Sequence, residues 1–373
     1  MSLEGAAVEA LCSAFGDGVA PVITRAPGRV TLVGEHVDYV GGRVACMAID
    51  RGVAVAARPS RDRRWRVVSA GRSSERGDPA PRGDIGDRLL APAVVLGDVP
   101  PLEVGVAADI PESAGLSSSA AVAGAALVAM LRLTQRSLTA TEAVDTLHVA
   151  EHDVLGVPCG RLDQRAIVES TDGAVLIIDC SDGSATSVAW PGRDVALVVA
   201  WSGEKHDVGG AGYRARRAAG ERVLSVLGVT SSSCIGRRWQ ELGDELRPAG
   251  RHIATETQRV SAAVAALRLG DAAALGALID ASHASLRDDL AVSTPRLEAM
   301  TAAAREVPGC LGSRLVGAGF GGSAIALCLK DTVEAVRSAL TAAAGRPAAA
   351  AWVVRPAAGL SMTAADVVVT AVD

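Results

Sequence analysis

The sequence predicts a two-domain α+β protein, and three observations predict it. The chain has 373 residues, room for about two domains at ~100–200 residues each. Apolar residues make up 49% and charged residues 21%, the usage of a chain that buries a core rather than staying disordered. Strand-like apolar runs broken by Gly-rich turns fill 22–58 and 315–329, while runs with helical spacing fill 117–155 and 211–305. Ala, Gly and Arg are spread evenly and no repeat has a fixed period. A weak join near residue 190 divides the chain into 1–190 and 191–373.

The elements follow in order. Val30–Val33, Val44–Ile49 and Val53–Ala57 read as strands. Residues 70–88, rich in Gly, Pro and charge, read as a surface loop. Leu102–Val106 reads as a strand. Ser117-Ser118-Ser119 opens an Ala-rich helix to about Leu133. Thr141–Leu155 reads as a second helix, with Thr139 or Thr141 as N-cap. Val175–Ile178 and Val195–Trp201 are buried strands by pattern. Residues 211–228, 254–269, 271–287 and 294–305 read as helices. Leu315–Leu329 reads as strand, Gly loop, strand, followed by a helix at 331–344 and a strand at about 350–355.

Composition excludes several functions. Net charge is −5 and aromatic residues are 2% of the chain. Neither a basic footprint nor a base-stacking surface for nucleic acid is expected. Lys occurs only at Lys205 and Lys330. Neither fits a Gly-Lys-Ser/Thr phosphate loop, and the protein-kinase motifs are missing. The start, Met1-Ser2-Leu3-Glu4, is acidic, unlike a secretory signal. The longest apolar run, Ala120–Leu131, has 12 residues, short of the ~20 that span a bilayer. Seven cysteines, odd in number and without CxxC pairs, read as reduced thiols. A cytoplasmic protein with no membrane partner, acting as a monomer, is expected.

Five segments carry candidate chemistry. Pro111-Glu112-Ser113-Ala114-Gly115-Leu116-Ser117-Ser118-Ser119 places Gly and small hydroxyl residues just before a helix. Unpaired N–H groups and positive dipole at a helix start attract phosphate; plain Ser capping is the simpler reading. Gly317-Ala318-Gly319-Phe320-Gly321-Gly322 matches GxGxxG. A strand follows it and no acid lies near 342, so a tight Gly turn fits better than a dinucleotide site. Arg29 leads to Glu35, His36 and Asp38, a set able to bond the hydroxyls of a polyol or to form a solvated turn. His148-Val149-Ala150-Glu151-His152 matches the H-x-x-E-H zinc pattern, with two His on one helix face. Such a pair more often packs at a surface. Asp163, after Cys159-Gly160-Arg161-Leu162, is a candidate base or a turn former.

Taken in this order, these segments resemble the GHMP small-molecule kinases and, within them, the galactokinase family. Gly28–Tyr39 resembles that family's signature, and Gly115-Leu116-Ser117-Ser118-Ser119-Ala120 its phosphate loop. Glu151-His152 with Cys159–Gln164 resembles its metal and base segment. Lys205-His206, Tyr213 and Arg216-Arg217 resemble its sugar-contacting helix entry. Ala281–Asp289, Gly312-Ser313-Arg314 and Gly317–Gly322 resemble its C-terminal motifs. The matches run from about 25 to 329. The phosphate loop marks the superfamily only; Glu35-His36-x-Asp38-Tyr39 and the Tyr213 segment are specific to the branch.

The resemblance implies the two-domain GHMP fold, with an S5-like N-terminal domain, a ferredoxin-like C-terminal domain, and the last strand returning to the first. It implies an ATP- and Mg²⁺-dependent sugar-1-kinase, with galactose as substrate. Asp163 is then the base, and Arg29 stabilises charge moving onto the phosphoryl group. Glu35, His36, Val37, Asp38, Gly160 and Tyr213 would bind sugar. Ser113, Ala114, Gly115, Leu116, Ser117, Ser118 and Ser119 would wrap the ATP phosphates, with Ser69 near the nucleotide. Ser119 and Glu151 would hold Mg²⁺.

The sequence departs from the family pattern in places. Val37 stands for a usual Thr, Val40 for Asn, Ser113 for Gly and Ser323 for Cys. Residues 84–101 lack Trp and Tyr. Three rivals follow: a kinase for an N-acetylhexosamine, arabinose or a uronic acid; a catalytically silent sugar sensor; and a zinc peptidase using His148 and His152.

Overall fold

The computed structural model describes residues 1–204, 210–347 and 350–362. The chain runs α1 (Leu3–Phe15), β1 (Val22–Val33), β2 (Arg43–Pro59), β3 (Trp65–Ser69), β4 (Arg72–Arg76), α2 (Asp87–Leu96) and β5 (Leu102–Ala108). Then come α3 (Ser118–Leu133), α4 (Ala140–Val149), α5 (Leu162–Glu169), β6 (Ala174–Asp179) and β7 (Ala185–Ala189). The second half holds β8 (Val195–Trp201), α6 (Ala211–Leu227), α7 (Arg247–Leu269), α8 (Ala272–Asp288) and α9 (Pro295–Arg305). It ends with β9 (Cys310–Val316), β10 (Ser323–Leu329), α10 (Val333–Ala344) and β11 (Ala351–Val354).

The strands form two sheets. The seven-stranded sheet has the order β4-β3-β5-β2-β6-β7, with β1 paired to the free side of β2. The four-stranded sheet has the order β11-β8-β10-β9. The chain leaves the first sheet at Ala189 and enters the second at Val195. β11 pairs with β8 in the second sheet, and it is the chain after it that crosses back. Pro356 bridges Ile49, and the Gly359 N–H donates to Ser170 O at 2.8 Å.

The last described strand thus does not itself return to the first sheet as expected, and four further corrections concern single elements. The two runs 44–49 and 53–57 are one 17-residue strand, β2, which β1 pairs along most of its length. Part of the expected 70–88 loop is β4, which pairs with β3. Its Arg- and Ser-rich sequence hides the strand, because only Ser74 and Arg76 turn inward. Helix α2 carries Pro92, which masks a five-residue buried run, Leu89 to Ala93. Asp163 lies not in a turn but in the first turn of α5.

Other expectations hold closely. Thr139 caps α4 with a full capping box to Glu142. Beyond α4 the helix widens into a π-type turn, Ala150–Val154, which carries Glu151. The Ala-rich α3 packs closely on β1 and β2, so closely that Thr24 Oγ1 donates to Ala125 O at 2.7 Å. Apolar side chains from both sheets share the larger core cluster, including Val30, Met47, Leu197 and Ile325. This continuous core fixes the two halves around the cleft described next. Among the described residues no helix is long and apolar enough to cross a membrane.

Candidate active site

A cleft of about 1190 Å³ is lined mainly by the first half of the chain, with Tyr213, Gly317 and Ala318 contributed by the second. Its centre is Arg29 on β1. A register shift between Pro27 and Arg29 breaks the β1–β2 ladder there, and the Arg29 N–H instead donates to Leu116 O at 3.0 Å. The buried guanidinium reaches two groups. Nη1 donates to Gly115 O at 2.6 Å, and Nε donates to Asp163 Oδ1 at 2.9 Å. Burial alone pulls the Arg29 pKa down, but Asp163 and Glu35 outweigh it and raise it.

One wall is the segment 113–119. Ser113 and Ser117 both have left-handed backbones, φ 59° and 58°. Gly115 has φ +76°, and a Cβ there would sit 2.8 Å from Val316 O, so only Gly fits. Ser113, Gly115, Ser117, Ser118 and Ser119 line the cleft. Ala114 and Leu116 do not: their side chains are buried in the core, and only their backbone belongs to the loop. Ser323, at the start of β10, ties this loop down by donating to Ala114 O at 2.7 Å. The Ser117 Oγ is buried without a partner, an uncommon state for a buried hydroxyl. Ser69, at the end of β3, lines the cleft further along.

The opposite wall is the turn after β1. His36 has φ 59°, a strained conformation that its ring contacts offset. Nε2 lies 3.1 Å from Ala318 O, so it carries the proton, because a carbonyl can only accept. Nδ1 then accepts from the Tyr39 hydroxyl at 3.1 Å. The ring also lies against Tyr213, with centroids 5.9 Å apart. Burial pushes the His36 pKa down to about 4, so it is neutral at pH 7. Asp38 is pushed up to about 6, by burial first and then by Asp163 and Glu35. A Cβ on Gly160 would lie 2.7 Å from Asp38 Oδ2, so Gly160 keeps room for that carboxylate.

Glu35 is buried with a raised pKa, burial being the main cause and Arg314 the main opposing charge. Its Oε1 accepts from Gly317 N at 2.7 Å and pairs with Arg314 at 3.1 Å. Val37, expected to meet the sugar, is absent from the cleft wall: its side chain is fully buried in the second core cluster, as is Val40. Lys205 and His206 lie outside the described residues.

Glu151 sits beside the main cleft, in a small recess shared with Arg88 and Ser119. Gln164 Nε2 donates to Glu151 Oε2 at 2.7 Å, and Ser119 also bonds it. Burial and then Asp163 raise the Glu151 pKa. The Glu151 carboxylate and the Ser119 hydroxyl form a hard-oxygen pair at the edge of the phosphate wall. That donor chemistry fits Mg²⁺. It does not fit zinc. The His148 and His152 rings lie 5.3 Å apart, but His152 is turned to Asp153. Among the described residues no group of three His, Cys, Asp or Glu can hold a metal.

Several supporting residues escape a reading of the sequence. Arg314 is legible only as part of a motif, and His252 and Glu256 not at all. The signal is there: they stand four apart on the otherwise apolar buried face of α7.

Comparisons with known proteins identify the family and the fold. The galactokinase galactose-binding signature matches residues 10–59, the GHMP kinase N-terminal domain 88–170 and the GHMP kinase C-terminal domain 263–346. A galactokinase of Roseiflexus is 36% identical over 346 residues, 87% of this chain and 88% of its own. The Homo sapiens galactokinase is 33% identical over 325 residues, 81% of this chain and 82% of its own. The crystal structure of Lactococcus lactis galactokinase complexed with galactose superimposes with TM-score 0.89 at 28% identity, covering 97% of this chain and all of that one, 100%. Methanococcus jannaschii mevalonate kinase shares the fold alone, with TM-score 0.69 at 17% identity over 91% of this chain and 100% of its own. With two of those relatives above 30% identity over most of both chains, and with family signatures matched in both halves, the chain belongs to the galactokinase family of the GHMP kinases.

Proposed function

We propose that this kinase transfers the γ-phosphoryl group of ATP to the O1 hydroxyl of α-D-galactose, giving galactose 1-phosphate and ADP. One observation carries the reading. The Arg29–Asp163 pair stands where the Ser113–Ser119 wall meets the wall of His36, Asp38 and Tyr213. A triphosphate on the first wall and a sugar on the second would meet at that pair.

The steps follow from the residues. Gly115 and the Ser117–Ser119 start of α3 offer N–H groups and hydroxyls to the phosphates. Asp38, Glu35 and Gly160 face the sugar as acceptors and as close backbone, and Tyr213 closes the site. Asp163 takes the O1 proton as O1 bonds to the γ-phosphorus. The bond from that phosphorus to the bridging oxygen breaks, and ADP leaves with the electron pair. Arg29 stabilises the charge that builds on the transferred group. Glu151 and Ser119 would hold Mg²⁺, which when bound neutralises phosphate charge. The base would lie towards Ser69, Ile85 and Val122; the rings of the cleft, Tyr39 and Tyr213, stand on the sugar wall.

The test is ADP release with Mg-ATP across a panel of sugars, with Asp163→Asn as control. Turnover on galactose, lost in the variant, is expected. Turnover only on an N-acetylhexosamine, arabinose or a uronic acid keeps the mechanism and overturns the substrate. Galactose binding without ADP release overturns the kinase reading in favour of a sensor.

A further inference from the structure

Helix α7 carries two buried polar side chains that the proposed mechanism does not use. Glu256 and His252 are fully buried and lie one helical turn apart. Both reach across to the turn after β1. Glu256 Oε1 accepts from the Gly34 N–H at 2.7 Å. His252 Nε2 lies 3.0 Å from Glu35 O, and there it must donate. Two successive backbone positions are thus gripped by one helix from the second half of the chain.

The grip is itself braced. Glu256 Oε1 also accepts from the Ser282 hydroxyl at 2.7 Å, and Oε2 accepts from Arg259 at 2.6 Å. Arg259, His252 and Arg314 outweigh burial and hold the Glu256 pKa down at about 2, so it stays a carboxylate. His252 Nδ1 lies 2.9 Å from Ser285 Oγ, whose hydroxyl is also 2.7 Å from Asp289 Oδ2 and has one proton to offer between the two. The turn being held is a tightly constrained one. Gly34 has φ +107°, and a Cβ there would lie 2.7 Å from Val44 Cα, while His36 is a non-glycine residue at φ 59°. Such conformations persist only where the surroundings over-determine them. The Glu35 carboxylate is fixed from the same side of the molecule, by Arg314 and by Gly317.

We infer that His252 and Glu256 are positioning residues that preset the Gly34–His36 turn for sugar, so that α7 sets sugar affinity without touching the sugar. The inference rests on the reading of Glu35, His36 and Asp38 as the sugar wall. Presetting matters because a site ordered in advance loses less free energy to ordering when ligand binds. The phosphate wall is fastened separately, by Ser323 and Arg29. Loss of the α7 grip therefore acts on one substrate and not the other.

The experiment compares Glu256→Ala, Glu256→Gln, His252→Ala and His252→Gln, reading KM for galactose, KM for ATP and galactose affinity by calorimetry. In the alanine variants galactose KM and Kd rise about tenfold, a loss of ~1.4 kcal/mol, while ATP KM moves less than about twofold. Glutamine restores most of the loss, because its amide can accept from Gly34 at one site and donate to Glu35 O at the other. If Glu256→Ala does not fold, the His252 pair decides. Galactose KM unchanged in folded alanine variants overturns the inference, as does a parallel rise in both KM values. If the wild-type protein turns over another sugar of the panel instead, that sugar replaces galactose in the same comparison; if it binds no sugar at all, the reading of the sugar wall falls and the inference falls with it.

Discussion

Arg29 binds Asp163 through one oxygen only: Nε at 2.9 Å and Nη2 at 2.7 Å both meet Oδ1. Among the described residues nothing bonds Oδ2. The carboxylate is therefore oriented by its neighbour and still has one oxygen to offer a substrate hydroxyl. Asp163→Asn keeps the shape and removes the proton acceptor. Turnover should fall about 10²–10⁴-fold, with ATP binding retained in equilibrium titration. Unchanged turnover would remove Asp163 from the role of base.

Glu151 is the one carboxylate beside Ser119 in the recess next to the phosphate wall. Chelation of Mg²⁺ should stop ADP release, and added Mg²⁺ should restore it. Glu151→Gln should raise the Mg²⁺ concentration for half-maximal rate by about tenfold or more. A smaller shift is expected for Ser119→Ala, which removes a neutral ligand. An unaltered Mg²⁺ requirement in Glu151→Gln would place the ion elsewhere.

His36 and Asp38 act in opposite senses on stability. His36 falls from 6.5 to about 4 on folding. The unfolded chain therefore binds more protons between those values, and stability rises with pH across them. Asp38 rises from 3.8 to about 6, so the folded chain holds the extra proton and stability falls as pH rises through that window. The two contributions largely cancel between pH 4 and 6. Asn tolerates the left-handed backbone at position 36, so His36→Asn isolates the Asp38 effect. The variant's own melting temperature should decline as pH rises from 4 to 6, which reports Asp38, and its deficit against wild type should widen over the same range, which reports His36; a flat profile in the variant would contradict the Asp38 assignment, and a constant difference the His36 one.

Asp38 also predicts the pH dependence of sugar capture. Protonated Asp38 loses one acceptor site for sugar hydroxyls. In the wild type kcat/KM for galactose should therefore drop as pH falls through about 6. Asp38→Asn should be weaker throughout and lack that inflection. An inflection that survives in the variant belongs to another group.

Val37 is a departure from the family pattern that the structure makes a packing residue. Val37→Thr places a hydroxyl in an apolar cluster and should cost about 1–3 kcal/mol of stability by denaturant titration. Sugar preference across the panel should not move. A changed preference would show that the side chain reaches the sugar after all.

The site was legible where chemistry lies in contiguous residues. Glu35-His36-x-Asp38 and the Ser113–Ser119 run stood out as candidates because polar residues cluster next to a strand or a helix start, whereas Glu151 and Asp163 gained proposed roles only from the family resemblance. Helices α6 to α9 were also legible, since their apolar faces repeat at helical spacing. Elements that bury few or unusual residues were not. β4 turns Ser and Arg inward, and α2 hides its buried run behind a proline.

The sequence by itself determined the class of the fold and the residue types that the chemistry requires. Only the tertiary structure decided which of them face the cleft. It turned Val37, Ala114 and Leu116 into the core and brought Arg29 to Asp163 across 134 positions. It also set Glu256 against Gly34 across 222. The reason is physical. Periodicity reports which face of one element is apolar, but a contact between elements depends on how both halves pack around their shared core. A buried charge such as Glu256 or Arg314 is tolerable only where that packing supplies its partners.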